Sequence, residues 1–443
     1  MTERGIVMSS SSPVSEIRVA LAGVGTVGSA VARLLLEEKD RYQQEVGTPV
    51  RLTTVFDRRY RELDLSWLGP ETRMTDSLDE FLETPGDVVV ELLGGTDPAH
   101  RIITTSLRQR KAVVTANKML MARSGVEYLN AAHKHNSYLG FEASVAGGIP
   151  IIRALRRSLF ADQTLRVRGI LNGTCNFILT EMADSGKEFT EVLGQAQALG
   201  YAEADPSLDV SGRDTADKLA ILAGLSFGVW APPSEIPTRG ISDIWPIDVS
   251  YAKKLNSRIR LLGIAEQRDG LLMLRVSPFL VDSRLPLASV QGVLNAIEVV
   301  GKRLGSTVYL GRGAGGDPTS VSVVADVLNA ALWKQGRALF HRNVILDRKH
   351  SQSDSALREV YPFYIRFFVK DQPGIIASIA TVLARQNINI DAVIQETWPD
   401  PSNLPFIVTV TPTSFDVMQA CVAEMRKLEW NKVPPLALPR LSD

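Results

Sequence analysis

The chain contains 443 residues, and domains typically hold ~100–150 residues, so we expect two to four domains rather than one small binding module. Hydrophobic residues make up 45% and charged residues 22% of the chain, a composition that excludes wholesale disorder. Lysine plus arginine number 49, as do aspartate plus glutamate, and this neutral balance argues against nucleic acid as a partner.

Cysteine usage and the N-terminal segment indicate the cellular compartment. The two cysteines, Cys175 and Cys421, form neither a disulfide framework nor a paired-cysteine zinc spacing, which suggests a reducing environment. Residues 1–16 lack the apolar core of a signal peptide, and nowhere do about 18 uncharged apolar residues run together as in a membrane span. We expect a disordered tail over residues 1–16 on a soluble, cytoplasmic protein without a membrane partner.

A strand, a glycine-rich turn and a helix open the ordered part of the chain. The apolar run Ile17–Ala22 predicts a strand, and Gly23, Gly25 and Gly28 follow it as G-x-G-x-x-G. Apolar residues then recur with helical spacing. In this context the first glycine permits the turn, the second lets a pyrophosphate approach the backbone, and the third lets the helix pack closely. The pattern therefore predicts a dinucleotide-binding βαβ unit.

Four further strand-like runs extend this unit into a doubly wound parallel sheet. They lie at residues 52–56, 87–93, 112–115 and 138–141. Asp97 and Pro98 resemble an N-cap followed by a first-turn proline, so a helix is predicted over residues 99–110. Residues 17–150 are accordingly predicted to form a Rossmann-like dinucleotide-binding domain in an α/β protein.

The middle of the chain mixes predicted helices with β-rich sequence. Helices are expected over residues 189–199 and 215–227, so residues 151–315 are predicted to form an α+β substrate and catalytic domain. The helical run that follows leaves an alternative open. Residues 316–345 could complete the dinucleotide-binding domain, because nothing in the sequence says where that run packs.

The last part of the chain changes character. Residues 346–360 are predicted to form a linker, and residues 361–443 follow as a separate unit. The predicted order in this tail is strand, helix, strand, strand, helix, which is most of a ferredoxin-like fold. Its predicted elements are strand 364–369, helix 375–385, strands 388–395 and 405–411, and helix 415–428.

Charged residues at the expected end of the second strand leave the cofactor open. An acidic residue there would bind a ribose hydroxyl, as in NAD, whereas a basic residue would accommodate the 2′-phosphate of NADP. The chain offers both, since Asp57 is followed by Arg58 and Arg59. A solvated charge run without a cofactor role is the third alternative.

The segment from Gly200 to Lys218 places several carboxylates ahead of a lysine. Asp214 and Lys218 are four residues apart on a predicted helix, and on a surface they would form an ion pair worth ~0.3–0.5 kcal/mol. Residues 219–223 are apolar on nearly every face, however, which predicts a buried helix. A lysine that enters such a helix must be paired with a carboxylate, or lose its charge, or both.

Several motifs together resemble one family. They are the glycine turn at 23–28, Ala116-Asn117-Lys118, residues 142–150 and 172–176, the segment 200–218, and residues 313–319. From Ile17 to its end the chain resembles homoserine dehydrogenase, and its tail resembles the ACT domain that many bacterial members carry. Two positions depart from the family pattern, since Cys175 stands where threonine is frequent and Ser211 where aspartate or a similar polar residue is frequent.

The resemblance implies reversible hydride transfer between NAD or NADP and the terminal carbon of L-homoserine or L-aspartate 4-semialdehyde, a step towards threonine, methionine and isoleucine. It assigns proton donation to Lys218, substrate binding to Glu203 and Asp214, and contact with nicotinamide or substrate to Lys118. Reduction develops negative charge on the aldehyde oxygen, to which a lysine can deliver a proton. The candidate cofactor-binding residues are Gly23, Gly25, Thr26, Val27, Gly28, Arg58, Lys118, Gly200 and Gly315.

The resemblance also implies a sodium ion and a regulatory role for the tail. The carbonyl oxygens that match the family's sodium ligands are those of Glu142, Val145, Gly147 and Ile149. In the tail, the turn at residues 371–374 resembles the ligand corner of ACT domains. Two alternatives stay open there, namely threonine as a feedback effector or a pairing module that builds a homo-oligomer. Because every matched catalytic residue precedes the tail, its removal is expected to leave the catalytic site intact.

Two rival functions can be compared with this expectation. Another amino-acid dehydrogenase on the same scaffold would lack the combination of Glu203, Asp214 and Lys218. A catalytically silent nucleotide-binding sensor would lack Lys118 or Lys218. All four residues are present, so homoserine dehydrogenase is the expected function.

Overall fold

The computed structural model describes residues 15–268, 271–337 and 360–442. The chain divides into two compact units, one from residues 1–153 and 314–342 and the other from residues 154–313 and 343–443. The expected tail (1–16) and linker (346–360) lie outside the described residues, except for residues 15, 16 and 360. Residue 360 already begins a strand, so the linker prediction extended one residue too far.

Helices and strands are numbered in chain order over the described residues. The helices are α1 Thr26–Glu37, α2 Lys39–Val46, α3 Leu78–Glu83, α4 Asp97–Arg108, α5 Lys118–Lys134, α6 Ile151–Arg153, α7 Gly173–Ser185, α8 Phe189–Ala198, α9 Ser207–Val210, α10 Arg213–Phe227, α11 Pro246–Lys254, α12 Gly316–Lys334, α13 Ile375–Arg385 and α14 Phe415–Met425. The strands are β1 Ile17–Ala22, β2 Val50–Phe56, β3 Arg73–Thr75, β4 Val88–Glu91, β5 Ala112–Thr115, β6 Leu139–Gly140, β7 Thr164–Ile170, β8 Ser257–Arg268, β9 Leu271–Asp282, β10 Leu294–Gly301, β11 Gly305–Arg312, β12 Val360–Val369, β13 Ile390–Gln395, β14 Leu404–Ser414 and β15 Leu436–Leu441.

The first unit contains a six-stranded parallel sheet in the order β3-β2-β1-β4-β5-β6. Strands β1, β4 and β5 are buried at almost every residue, as expected for a sheet with helices on both faces. This is the doubly wound dinucleotide-binding order, in which ligands bind at the carboxyl ends of the strands where the order reverses. The reversal falls between β1 and β4, directly at the glycine turn. The predicted Rossmann-like fold is confirmed.

Helix α12 belongs to the first unit, a question that the sequence left open. It packs against α1, and its buried residues Val323 and Val327 share a hydrophobic core with Val31 of α1 and with the parallel sheet. The contact is close at the start of α12, where a Cβ atom built on Gly316 would lie 3.1 Å from the carbonyl oxygen of Thr26. Helix α12 therefore supports the beginning of α1, which follows the glycine turn.

The second unit contains a nine-stranded sheet in the order β11-β10-β7-β8-β9-β15-β12-β14-β13. Its neighbouring strands run antiparallel except β15 and β9, which pair in parallel at Arg440–Leu280 and Leu441–Val281. Helices α7, α10 and α11 pack on strands β7 to β10. This is the α+β arrangement that the sequence predicts for the middle of the chain.

The tail forms a β12-α13-β13-β14-α14-β15 unit, which has one strand more than the sequence predicts. Strand β15 was missed because Pro439 lies inside it, and proline lacks the N–H that a strand normally uses. Because β15 pairs with both β12 and β9, the tail shares one sheet and one hydrophobic core with the middle of the chain. This sharing argues against the expectation that the tail can be removed without effect on the catalytic site.

Several element limits differ from their predicted positions. Strands β1 and β5 and helix α13 begin and end as predicted. Helix α4 begins earlier than predicted because Thr96, not Asp97, is the N-cap, and it ends before Arg110, which adopts a left-handed φ of 59°. Across the described ranges, no helix combines the length and hydrophobicity needed to cross a bilayer, and no cluster of three His, Cys, Asp or Glu could hold a metal.

Candidate active site

The glycine turn in the first unit has a different steric requirement at each glycine. Gly23 has φ +95°, and a Cβ atom built on it would lie 2.7 Å from the carbonyl oxygen of Leu92. A Cβ atom on Gly28 would lie 1.9 Å from the carbonyl oxygen of Gly23, whereas a Cβ atom on Gly25 would meet nothing within 4 Å. The open space at Gly25 faces the N-terminus of α1, so the turn fits a dinucleotide pyrophosphate.

Asp57 at the end of β2 holds this turn in place. Its Oδ2 accepts a hydrogen bond from the Val24 amide at 3.1 Å, and its Oδ1 accepts one from the Arg59 amide at 2.9 Å. Both carboxylate oxygens are therefore engaged by the backbone, while Arg58 and Arg59 are exposed to solvent. Asp57 thus has a structural role in addition to any contact with a ribose hydroxyl.

A network at the ends of β4 and β5 positions Lys118. Thr115 Oγ1 donates to Glu91 Oε2 at 2.6 Å and accepts from the Asn117 amide at 3.0 Å. Asn117 is the N-cap of α5, with its Oδ1 accepting from the Leu120 amide at 3.1 Å. Burial raises the pKa of the Glu91 carboxyl above its ordinary value. Lys118 consequently starts α5 at the carboxyl end of the sheet, where it is half-buried.

Glu142 organises the segment expected to bind sodium. Its carboxylate accepts hydrogen bonds from the amides of Ile152 and Arg153, each at 2.8 Å, and its own amide donates to Asp326 Oδ2 at 2.9 Å. Burial, together with the nearby Asp326 carboxylate, raises the pKa of Glu142 to about 7. The side chain of Glu142 therefore holds residues 152–153, and its main-chain amide holds Asp326 of α12, at the turn that begins here.

The carbonyl groups in this turn can be tested as cation ligands. Val145 and Gly147 are buried, yet no main-chain amide in the described ranges donates to their carbonyl oxygens. The carbonyl oxygens of Glu142 and Ile149 already accept from main-chain amides, at 3.5 Å and 2.8 Å respectively. Buried carbonyls normally have a partner, and carbonyl oxygens suit hard cations. Two of the four predicted positions therefore have buried carbonyl groups that could serve as cation ligands, and the sodium site stays a prediction.

Lys218 and Asp214 form a buried ion pair in the second unit. Lys218 Nζ lies 2.8 Å from Asp214 Oδ2 and donates a second hydrogen bond to the carbonyl oxygen of Leu171 at 2.7 Å. The side chains are only 11% and 3% exposed. The prediction of a buried helix is confirmed, and the alternative of a surface ion pair is wrong. A charge pair in this setting is costly to break, because the remaining partner would stay buried.

Asn172 joins this pair to a second carboxylate. Its Nδ2 donates to Asp214 Oδ2 at 2.8 Å and to Asp209 Oδ1 at 2.7 Å, while its Oδ1 caps α7 by accepting from the Cys175 amide. Cys175 Sγ lies 3.2 Å from the carbonyl oxygen of Asp209, a contact that a threonine hydroxyl could also make. Burial raises the pKa of the Cys175 thiol well above its ordinary value, which disfavours the reactive thiolate form.

Glu203 and Gly200 lie in the loop between α8 and α9, and Gly315 lies between β11 and α12. Glu203 is exposed, and its carboxylate makes no ion pair with Lys218 among the described residues. Gly200 follows α8 with a left-handed φ of +74°, and Gly315 caps α12 with φ +110°. Gly315 directly precedes Gly316, which approaches Thr26, so the structure brings it close to the glycine turn.

Models of known families match three successive parts of the chain. The homoserine dehydrogenase model matches residues 150–328, its NAD-binding domain matches residues 23–142, and the ACT domain matches residues 363–420. A homoserine dehydrogenase of Pseudomonas aeruginosa is 38% identical over 399 residues, which cover 89% of this chain and 92% of that protein. The chain belongs to the homoserine dehydrogenase family.

Solved structures give the same result. A homoserine dehydrogenase from Thiobacillus denitrificans has a TM-score of 0.89 and 35% identity, covering 96% of this chain and 98% of that one. A hyperthermophilic archaeal homoserine dehydrogenase in complex with NADPH has a TM-score of 0.62 and 28% identity, covering 72% and 98%. As a family member, the chain is an NAD(P)-dependent oxidoreductase with a C-terminal ACT domain, and the expected family is confirmed.

The sequence did not single out three groups that this homoserine dehydrogenase family member places around Lys218. They are the amide of Asn172, the carboxylate of Asp209 and the carbonyl group of Leu171. A signal for Asn172 was available, because an asparagine that precedes Gly173 at the end of a strand is a typical N-cap. Its second hydrogen bond, to Asp214, joins positions 42 residues apart and has no local signature.

Proposed function

We propose that this chain interconverts L-homoserine and L-aspartate 4-semialdehyde, with Lys218 as the proton donor to the aldehyde oxygen. The observation that supports this role is the buried Lys218 ammonium held by Asp214 and by the carbonyl oxygen of Leu171. An ammonium group has three N–H donors. Two of them have partners among the residues that the structure describes, which leaves the third for a substrate oxygen.

The chemistry requires a proton source in a position where water is excluded. The bound nicotinamide supplies or accepts the hydride. Lys218 stabilises the negative charge that develops on the carbonyl oxygen and delivers a proton to it, and in the reverse direction it removes the hydroxyl proton. Asp214 and the carbonyl oxygen of Leu171 hold the ammonium group of Lys218, and Asn172 holds Asp214 in turn. This arrangement favours a single reacting geometry.

Carboxylate side chains can select the substrate through its ammonium group. The substrate carries an ammonium group, and carboxylates near it favour cationic over neutral molecules. We assign substrate binding to Asp214, which is buried beside Lys218, and to Glu203, whose exposed carboxylate is accessible to a ligand.

Cofactor binding belongs to the first unit. The residues proposed to hold the cofactor are Gly23, Gly25, Thr26, Val27, Gly28, Arg58, Lys118, Gly200 and Gly315. All of these except Gly200 lie in the first unit. NADP is the proposed preference, because Asp57 is engaged by the Val24 and Arg59 amides while Arg58 is exposed and able to meet a 2′-phosphate. The carbonyl oxygens of Glu142, Val145, Gly147 and Ile149 are the proposed sodium ligands.

The tail is proposed to pair with its copy in another subunit, and threonine is its proposed effector. Strand β13 is at the edge of the nine-stranded sheet, and its residue Val393 is 41% exposed. An exposed apolar edge strand is prone to pair with another chain. Both cysteines are free and buried, which suits the reducing cytoplasm that we propose as the location.

The experiment is a spectrophotometric assay of the purified chain with L-homoserine and NADP or NAD. We expect Lys218→Ala and Lys218→Arg each to lower turnover by ~10²–10⁴-fold, the range for a general acid or base. Lys218→Arg retains the positive charge but cannot release a proton near neutral pH. Lys187→Ala, which removes an exposed lysine paired with Glu191, is the control. Near-normal turnover in folded Lys218→Arg would remove Lys218 from this role.

A further inference from the structure

Residues 236–241, which we call the bracing segment, run beside strand β9 in the second unit. The Val276 amide donates to the carbonyl oxygen of Pro237 at 2.9 Å, and the Arg239 amide donates to the carbonyl oxygen of Val276 at 2.8 Å. Thr238 and Val276 form an isolated parallel bridge. The amide and the carbonyl group of Val276 thus both hold the bracing segment to β9.

The other side of the bracing segment contacts the turn that starts α10. The Ile241 amide donates to the carbonyl oxygen of Val210 at 2.9 Å. A Cβ atom built on Gly240 would lie only 2.0 Å from that same oxygen. The N-cap of α10 is Gly212, with φ +84°, and a Cβ atom there would lie 3.1 Å from Thr238 Cγ2. The close approach leaves little room for the start of α10 to move, two residues before Asp214.

The side chain of Arg239 connects the bracing segment to the tail. Its Nη1 donates to the carbonyl oxygen of Ala437 in β15 at 2.9 Å, and its Nη2 lies 3.4 Å from Asp243 Oδ2. Strand β15 is itself fixed between β12 and β9. One arginine therefore joins the last strand of the chain to the segment that contacts the start of α10.

We infer that Arg239 is a positioning residue, which uses the last strand of the tail to hold the N-terminus of α10 and thereby the Asp214–Lys218 pair. This inference rests on the proposed function of that pair. Without the guanidinium, the bracing segment keeps its main-chain hydrogen bonds but loses its connection to β15. The start of α10 then has more freedom, and small displacements of reacting groups are known to reduce rates strongly.

The test compares three variants of the full chain at Arg239. Arg239→Ala removes the hydrogen bond to the Ala437 carbonyl oxygen, whereas Arg239→Lys and Arg239→Gln each retain a side-chain group with N–H donors. We expect Arg239→Ala to lower kcat by about 10- to 100-fold with the KM of the cofactor within about twofold of the wild type. Arg239→Lys and Arg239→Gln should recover most of the loss. A general loss of stability would not give this split between kcat and KM, nor this rescue.

The control is Arg385→Ala, which breaks an exposed ion pair with Glu424 inside the tail and should leave kcat unchanged. The inference is overturned if Arg239→Ala keeps kcat within about twofold of the wild type, or if all three variants lose kcat equally. Should Arg239→Ala fail to fold, Arg239→Met takes its place, because methionine keeps much of the side-chain length but has no N–H donor, and it should show the same loss of kcat relative to Arg239→Lys. Lys218→Arg is measured alongside. If it stays active, the proposed function fails, whereas an inactive Lys218→Arg with a normal Arg239→Ala rejects only the role of Arg239.

Discussion

The glycine turn and the Lys218 pair are built from different interactions. In the glycine turn, the decisive contacts join backbone atoms, and the Cβ distance of 1.9 Å at Gly28 leaves no room for a side chain. Around Lys218, the decisive contacts are hydrogen bonds between buried charged and polar groups that are 42 and 47 residues apart along the chain. The first site depends on space, and the second depends on charge and orientation.

This difference has a consequence for substitutions. A backbone site tolerates many changes of side-chain chemistry but few changes of volume. At a buried charge site, the loss of one partner is more damaging than a change of volume, because the other partner then remains buried without compensation. Substitutions in the two sites should therefore differ in their effects on stability and on turnover.

The largest effect is expected for Asp214→Asn. The substitution leaves the Lys218 ammonium buried without its counter-charge, so the free energy of unfolding should fall by about 3–5 kcal/mol. Turnover should fall at least ~10²-fold, because Lys218 loses its orientation. Urea unfolding and a turnover assay measure the two effects. The matched control is Glu191→Gln, which breaks the exposed pair with Lys187 and should change stability by no more than ~0.5 kcal/mol. Equal effects in both variants would contradict the buried character of the Asp214 pair.

Substitutions at Gly28 and Gly25 distinguish a glycine required for packing from a glycine proposed to leave room for the cofactor. Gly28→Ala should lower the free energy of unfolding by about 1–3 kcal/mol, because the new methyl group overlaps the Gly23 carbonyl oxygen. Gly25→Ala should leave stability within ~0.5 kcal/mol of the wild type. It should still raise the KM of the cofactor roughly tenfold, equivalent to about 1.4 kcal/mol, since its methyl group enters the space proposed for the pyrophosphate. A normal KM in Gly25→Ala would argue against that location.

Each unit has an asparagine N-cap next to the proposed site, and the two can be compared by the same substitution. Asn172 and Asn117 each accept a hydrogen bond from the third amide of their helix, so replacing either with alanine should cost about 1 kcal/mol of stability. Asn172→Ala should in addition lower kcat about tenfold, because the Asn172 amide also holds Asp214. Asn117→Ala should leave kcat closer to the wild type. The reverse order of kcat values would show that the strand-end network near Lys118 matters more.

The smallest effect is expected for Arg58→Ala. A hydrogen bond to a charged group contributes ~1.5–3 kcal/mol, and an exposed arginine should fall at the lower end of this range. The KM for NADP should therefore rise about tenfold while the KM for NAD changes less than about twofold. Arg61→Ala, in an exposed ion pair with Asp76, serves as the control. Equal changes in both KM values would remove Arg58 from contact with the 2′-phosphate.

Sequence patterns predicted the local features well. The limits of β1, β5 and α13 agree with the structure, because each has a clear apolar pattern next to a turn. The glycine turn was also readable, since the three glycines follow a strand directly. Pro439 concealed β15, whose pairing with β9 depends on residues far away in the chain.

Long-range contacts set the remainder of the candidate site. The sequence predicted a buried helix around Lys218 but not the Leu171 carbonyl group or the Asn172 amide that contact the pair. Nor did it indicate where α12 packs, because its apolar residues would suit either unit. These features arise only when separate elements meet, and no local pattern records such contacts.

We expect cofactor binding and proton delivery to depend on different residues, with Lys218 required only for the second. The most direct measurement is the dissociation constant of NADPH for Lys218→Arg, obtained by fluorescence titration and set beside the turnover of the same preparation. The expected result is a dissociation constant within about twofold of the wild type, or ~0.4 kcal/mol, together with a turnover reduced by ~10²–10⁴-fold. A parallel loss of NADPH affinity, or a turnover equal to that of the wild type, would contradict it.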